Sequence, residues 1–278
     1  MSTLVNGLVP WLPIALLGTT LAYLADFRRR DTRLVPLTRV LLAVSVALLA
    51  LRFAAFVTTF GRPPLAAPAE GLGTIGFALA LVYGILEALH GDRSAAVPLL
   101  GAATFFLAGA VFAPPLQGPV TSELLSQPWF GFHAITAILG YTAFAVGAVY
   151  ATLYLGLYSA LKRRRFGLFW DRMPPLDVLA QMAIRSATLG FVFLTLAIVA
   201  GSFGWARVLD HPAWEDPKVL ATTAVWVVYA IGLSLYYFRG WRGIRCVGIT
   251  LVAFVLMILS SWIVPLLLGS AHGVSGLS

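Results

Sequence analysis

The feature that most constrains this chain is a series of long apolar stretches that recur along its whole length. A helix of roughly 20 apolar residues is long enough to cross the hydrocarbon layer of a bilayer. The chain is 60% hydrophobic, which is more apolar than soluble globular proteins usually are. We therefore predict an all-α fold, a polytopic transmembrane helical bundle that forms one integral membrane domain over residues 1–278.

The stretches predict about eight membrane spans. Their expected bounds are 7–26, 34–58, 71–90, 95–113, 129–160, 178–201, 218–238 and 243–269. The first is interpreted as a retained span rather than a cleaved signal peptide. No basic segment precedes it, and no convincing small-residue cleavage site follows it.

Basic residues between the spans predict the orientation, because they concentrate in cytoplasmic loops. The loops after the first, third, fifth and seventh spans hold Arg28, Arg29, Arg30, Arg33, Arg93, Lys162, Arg163, Arg164, Arg165, Arg172, Arg239, Arg242 and Arg245. The opposite loops hold only Arg62, Arg207 and Lys218. Both termini are therefore expected outside the cytoplasm. The net charge of +8 is explained by this pattern, so nucleic acid is not predicted as a partner.

Cys246 is the only cysteine in the chain. A single cysteine excludes an internal disulfide, a CxxC redox pair, a Cys-based zinc site and a CxxCH heme attachment site. We expect Cys246 to pack as a small buried hydrophobic residue.

Polar residues that could bind a ligand are concentrated at the predicted outer face, in the loop 202–217 and next to it. His133 begins the fifth span and His272 follows the eighth, so both lie at that face. Two imidazoles from different helices suit bis-axial ligation of a heme iron. Zinc would require help from Asp216, Glu215 or His211. A single His at the membrane interface can also have no ligand and simply lie at the end of a helix with its imidazole in water.

Other residues of this face allow two interpretations each. Trp205 and Trp214 suit packing on a flat macrocycle, or they form part of an interfacial aromatic belt. Asp216, followed by Pro217, also predicts a helix start with an N-cap.

Four basic residues could receive the propionates of a heme. They are Lys218, Arg207, Arg62 and Arg52. Lys218 could instead snorkel to the membrane surface. Arg52, which lies within a span, could instead pair with Glu70.

At the predicted cytoplasmic face, the segment RRRFGLFWDRMPPLDVLAQM suggests a short interfacial helix. Asp177 is expected to cap the next span. Glu87 and His90 are interpreted as an ordinary span end.

Several segments resemble the membrane-integral cytochrome c assembly family, the heme-handling group that includes the CcsA, CcmC and HemX types. They are PPLDVLAQMAIRSATLGFVFLTLAIVAGSFGWA, WEDPKVLATTAVWVVYA, GWRGIR, GFHAITAILGYTAFAVGAVY and LLLGSAHGVS. The resemblance covers about residues 60–273. It matches Trp205, Trp214, Asp216, Pro217 and Lys218 to the Trp-rich outer loop, and His133 and His272 to the flanking histidines.

The resemblance implies a heme-binding protein of cytochrome c biogenesis in the bacterial cytoplasmic membrane. Non-covalent, b-type heme would be held at the extracytoplasmic face and passed to apocytochrome c or to a partner such as a ResB-like subunit. CcsA types also carry two histidines inside spans, where this chain has Arg62 and Ser234. The resemblance therefore leaves open a HemX-like accessory or regulatory protein of heme metabolism. A small-solute transporter is a separate alternative, against which the spans hold few ionisable residues. The residues assign no catalytic group, and any enzyme activity would belong to a larger heme-delivery assembly.

Overall fold

The computed structural model describes residues 7, 10–29, 32–65, 67–91, 93–113, 128–164, 167–208 and 215–268. These residues form α-helices and contain no strand, which confirms the all-α prediction. Helices suit an apolar chain because each backbone N–H and C=O is satisfied within its own segment. The helices are α1 (Trp11–Arg29), α2 (Leu34–Phe60), α3 (Pro68–His90), α4 (Ala96–Phe112), α5 (Pro128–Lys162), α6 (Leu168–Arg172), α7 (Leu176–Val208), α8 (Pro217–Tyr237) and α9 (Ile244–Leu268).

Five helices of the described chain are long and apolar enough to cross a membrane. These segments are Leu34–Phe60, Ala69–His90, Trp129–Lys162, Leu176–Gly204 and Pro217–Tyr237. Two shorter apolar helices are Ala96–Phe112 and Ile244–Ser260. Each of the eight expected spans overlaps one of the described helices. Eight crossings and the sides of the termini stay predictions.

Two details of the expected helix boundaries are wrong. Helix α7 continues to Val208 rather than ending at residue 201, so Trp205 and Arg207 lie on a helix and not in a loop. Helix α7 also begins at Leu176, because the carbonyl of Pro175 already accepts the backbone N–H groups of Val178 and Leu179. Asp177 therefore lies in the first helical turn rather than at the N-cap.

The chain divides into two compact units, while the expectation of one integral domain stays a prediction. Unit 1 comprises residues 1–118 and 166–173, and unit 2 comprises residues 119–165 and 174–278. In unit 1, α3 packs closely on α4, and α1 packs on both α2 and α4. The short helix α6, expected from the aromatic and basic segment, also belongs to unit 1.

The core of unit 2 is built on close contact between α5 and α7. A Cβ added at Gly147 would lie 3.1 Å from the Ala183 carbonyl oxygen, which is a tight contact, so the glycine allows the two backbones to approach closely. Phe144 fills the adjacent space and stacks on Tyr229 of α8, with ring centroids 3.8 Å apart. Cys246 joins this core at 2% exposure, which confirms its expected burial.

Candidate functional site

His133 lies near the start of α5 and faces α7 within unit 2. Its Nδ1 is 2.7 Å from the carbonyl oxygen of Ala197. Because a carbonyl can only accept, Nδ1 must be the donor, so a neutral His133 carries its lone pair on Nε2. In the described part of the chain no residue forms a hydrogen bond with Nε2. This arrangement is typical of metal-ligating histidines, whose second nitrogen commonly donates to a backbone carbonyl or a carboxylate.

Asp216 is buried at 4% exposure and caps α8. Its Oδ1 accepts the backbone N–H of Lys218 at 2.8 Å and that of Val219 at 3.2 Å. Pro217 occupies the first helical position, where the absence of an N–H costs nothing. The predicted helix start is confirmed, and the Asp216 carboxylate has a structural role that needs no ligand.

Lys218 is half-buried and follows the cap of α8. It lies close enough to His133 for its charge to act on the imidazole, and it also interacts with the Asp216 carboxylate. His133, Asp216 and Lys218 therefore form one electrostatic neighbourhood in unit 2. This neighbourhood offers one aromatic nitrogen with a lone pair and one cation.

The remaining predicted residues of this face are not described at side-chain level. Trp205 and Arg207 lie on α7, where only the helical backbone is described. Trp214 and His272 lie outside the described residues. The roles expected for these four residues stay predictions.

Arg62 and Arg52 lie in unit 1, and their side chains are engaged differently. Arg62 forms a bidentate ion pair with Glu70, in which both N···O distances are 2.8 Å. The same carboxylate accepts the backbone N–H of Ala67 at 3.3 Å. Arg52 lies in the field of Glu70, yet its buried Nε has no hydrogen-bond partner among the described residues. Of these two arginines, Arg52 has the greater remaining capacity to donate to a carboxylate.

A buried charge cluster in unit 1 was not recognised in the sequence. Glu87 is 4% exposed and accepts hydrogen bonds from Tyr23 at 2.5 Å and Tyr83 at 2.9 Å. Its other oxygen lies 3.2 Å from Arg39 Nε and 3.1 Å from Arg93 Nε. A carboxylate with these partners is more than an ordinary span end. Glu87 and Tyr83 are four residues apart on one apolar helix. In the sequence, that spacing was the signal of a buried carboxylate with a hydrogen-bond partner.

Arg93 connects the Glu87 cluster to neighbouring elements of unit 1. It donates to Asp26 at 2.7 Å and to the hydroxyl of Thr38, and its guanidinium lies over the Tyr23 ring. Burial alone lowers the pKa of Arg93, but Tyr23 and the carboxylates of Glu87 and Asp26 outweigh it and raise that pKa. Beside the cluster is a cavity of about 440 Å³, whose lining includes Asp26, Arg93 and Arg172.

No group of three or more His, Cys, Asp or Glu that could bind a metal ion occurs among the described residues, and His211 and His272 lie outside them. A heme iron takes only axial ligands from a protein, because the porphyrin supplies the equatorial ones. His133 has the chemistry of one such axial ligand.

The chain matches the family described as "Cytochrome C assembly protein" over residues 12–272. It belongs to the cytochrome c assembly family. That match includes His133, the α8 cap and the Glu87 cluster. It also places the chain among membrane proteins with apolar helices and relatives named CcsA and HemX.

Two kinds of relative illustrate the range of this family. The cytochrome c biogenesis protein CcsA of Parasynechococcus marenigrum (strain WH8102) is 28% identical over 275 residues, which cover 88% of this chain and 87% of that protein. The protein HemX of Bacillus subtilis (strain 168) is 32% identical over 144 residues, covering 51% of this chain and 50% of HemX. HemX of Brevibacillus brevis is 31% identical, covering 49% and 48%. The chain thus spans about half the length of these HemX relatives, and no solved structure matches it.

Proposed function

We propose that this chain binds heme and presents it for cytochrome c biogenesis, with His133 as one axial ligand. The observation that carries the proposal is the hydrogen bond from His133 Nδ1 to the Ala197 carbonyl, which leaves Nε2 as the ligating atom. Membership of the cytochrome c assembly family and the CcsA relatives support the reaction context.

The second ligand and the aromatic residues of the site follow from the resemblance. His272 is the proposed second axial ligand, and Trp205 and Trp214 are proposed to pack on the macrocycle. Arg207 and Lys218, which belong to the same unit as His133, are the proposed partners of the propionates. The propionate roles expected for Arg52 and Arg62 stay predictions. Asp216 would act by starting α8 and so placing Lys218. The heme would be b-type and non-covalent, since the chain has no CxxCH motif.

The proposed setting is the bacterial cytoplasmic membrane, with eight spans and both termini outside. The uneven distribution of basic residues between alternate loops supports this orientation. His133 and the N-terminus of α8 would then share the extracytoplasmic face. Heme is the cargo here, and the chain's own residues hold it, orient it and shield it from water. A ResB-like subunit and apocytochrome c are the proposed partners.

The resemblance to HemX types supports a second candidate, an accessory or regulatory role in heme metabolism, and two relatives are named HemX. The two candidates differ in what deletion of the gene changes. An assembly protein predicts loss of mature cytochrome c. A regulator predicts altered levels of heme precursors or heme-synthesis enzymes while cytochromes c remain.

The direct test is an absorption spectrum of the detergent-purified protein, oxidised and reduced, before and after hemin titration. We expect a Soret band and low-spin α and β bands. These bands should be lost in His133→Ala and in His272→Ala but kept in His90→Ala, the matched control at the exposed end of α3. A wild-type protein that stays heme-free after titration, or a His133→Ala variant with an unchanged spectrum, would contradict the proposal.

A further inference from the structure

Two glycines of α7, Gly201 and Gly204, lie against the first turns of α5. A Cβ added at Gly201 would lie 2.8 Å from Nδ1 of His133 and 3.0 Å from its Cε1. A Cβ added at Gly204 would lie 2.0 Å from the Trp129 ring. These separations are too short for a Cβ unless His133 and Trp129 move from their observed positions. Gly201 and Gly204 therefore permit the observed positions of His133 and Trp129.

The contacts come from one face of each helix. Ala197, Gly201 and Gly204 follow the i, i+4, i+7 spacing of one helical face, and Trp129 and His133 are four residues apart on α5. The Nδ1–Cε1 edge of His133 thus lies against α7, where Nδ1 also reaches the Ala197 carbonyl at 2.7 Å. The contact surface and the hydrogen bond fix the same edge of the imidazole.

Other glycines of unit 2 also have close neighbours, since a Cβ at Gly190 would lie 2.6 Å from Phe144 and one at Gly232 would lie 2.6 Å from Ile249. Gly201 differs from these in that the side chain it meets is the imidazole of His133. Not every glycine of the unit is close to a neighbour. A Cβ at Gly248 of α9 or at Gly131 of α5 would meet nothing within 4 Å. Gly204 also lowers the stability of the helix, because glycine is a poor helix former. Helix α7 nevertheless continues through Gly204 to Val208.

We propose that Gly201 and Gly204 are positioning residues for the heme ligand, an inference that rests on the proposed role of His133. Gly201 keeps His133 close enough to α7 for Nδ1 to donate to Ala197, so that the lone pair stays on Nε2. Gly204 seats Trp129 one turn before His133 and sets the height of α5 against α7. The two glycines thus fix the tautomer and the direction of the ligand before heme arrives.

The test compares Gly201→Ala with Gly248→Ala, which adds the same methyl group in open space. The first measurement is ¹⁵N NMR of heme-free protein labelled at histidine, at a pH where the imidazole is neutral. The signals of His133 are assigned as those that are absent from the spectrum of His133→Ala. We expect the Nδ1–H tautomer for wild type and Gly248→Ala, and a shift away from that tautomer in Gly201→Ala. In hemin titrations, Gly201→Ala should lose about 10- to 100-fold in affinity, the usual effect of disturbing a ligand's supporting hydrogen bond.

The outcomes separate this inference from the proposed function. Wild-type protein that binds no hemin overturns the heme role, whereas the tautomer measurement still decides the positioning role. An unchanged tautomer in Gly201→Ala, or equal effects of Gly201→Ala and Gly248→Ala, overturns the inference. If Gly201→Ala does not fold, the double variant Gly201→Ala/His133→Ala decides. Recovery of the fold supports contact with His133, and continued misfolding shows that Gly201 serves helix packing alone.

Discussion

The phenolic O–H of Tyr23 donates a 2.5 Å hydrogen bond to Oε2 of Glu87 and so connects α1 to α3 inside unit 1. Tyr83 donates to the same oxygen from one turn earlier on α3. The other carboxylate oxygen faces Arg39 of α2 and Arg93 of the connection between α3 and α4. One carboxylate therefore holds four separate parts of unit 1 together.

Replacing this carboxylate should destabilise unit 1. Glu87→Gln keeps the size of the side chain but leaves the guanidinium of Arg93, which is 16% exposed, without one of its two carboxylates. Removing one partner of a buried ion pair typically lowers the free energy of unfolding by about 3–5 kcal/mol. Because Asp26 still pairs with Arg93, we expect the effect of this variant at the lower end of that range. Thermal unfolding in detergent measures the effect. Glu215→Gln, at an exposed position, is the control, and equal stability of the two variants would contradict the prediction.

The two arginines that face Glu87 should contribute unequally. The Arg39 side chain is 58% exposed, so solvent screens its ion pair, and Arg39→Gln should cost less than about 1 kcal/mol. Arg93 is mostly buried and also binds Asp26 and Thr38. Arg93→Gln should therefore be clearly the more destabilising change in the same unfolding experiment. The reverse order would show that the cluster is not organised around Arg93.

Asp216 provides a way to separate helix capping from ligand binding. Asp216→Ala removes the acceptor for the N–H groups of Lys218 and Val219, and loss of such a cap typically costs about 0.5–2 kcal/mol. Asp216→Asn keeps an oxygen acceptor and should retain most of that stability. If Asp216 acts only as a cap, Asp216→Asn should also bind hemin with wild-type affinity. A stable Asp216→Asn variant with weakened hemin binding would instead assign the negative charge to the site.

The sequence could predict the helices because the apolar runs and their breaks are local signals. The Asp216–Pro217 start of α8 shows this well, since the cap uses groups only two and three residues apart. The apolar pattern predicts an end of α7 at residue 201, which is too early, because the helix continues to Val208. Gly204 weakens the local helix signal, and its contact with Trp129 of α5 is invisible in a single sequence.

The candidate site could be predicted only at the level of residue types. The position of His133 near a span end pointed to a ligand, but the tautomer depends on Ala197, which is 64 residues away in the chain. The Glu87 cluster was missed for the same reason, because its partners Tyr23, Arg39 and Arg93 come from three different elements. The chemistry of the His133 site and of the Glu87 cluster depends on contacts between distant segments. The sequence alone shows only that polar residues are present.

The proposed orientation predicts opposite accessibility for the two ends of α8. A Cys246→Ser background removes the only cysteine, which is buried in the core of unit 2. Single cysteines are then introduced as Glu215→Cys and Arg239→Cys, at exposed positions just before and just after the helix. In intact cells, a membrane-impermeant maleimide should label Glu215→Cys and spare Arg239→Cys, while both should react after the membrane is dissolved in detergent. Labelling of Arg239→Cys alone in intact cells would place His133 and the start of α8 at the cytoplasmic face. The proposed delivery of heme to an apocytochrome outside the cytoplasm would then lose its geometric basis.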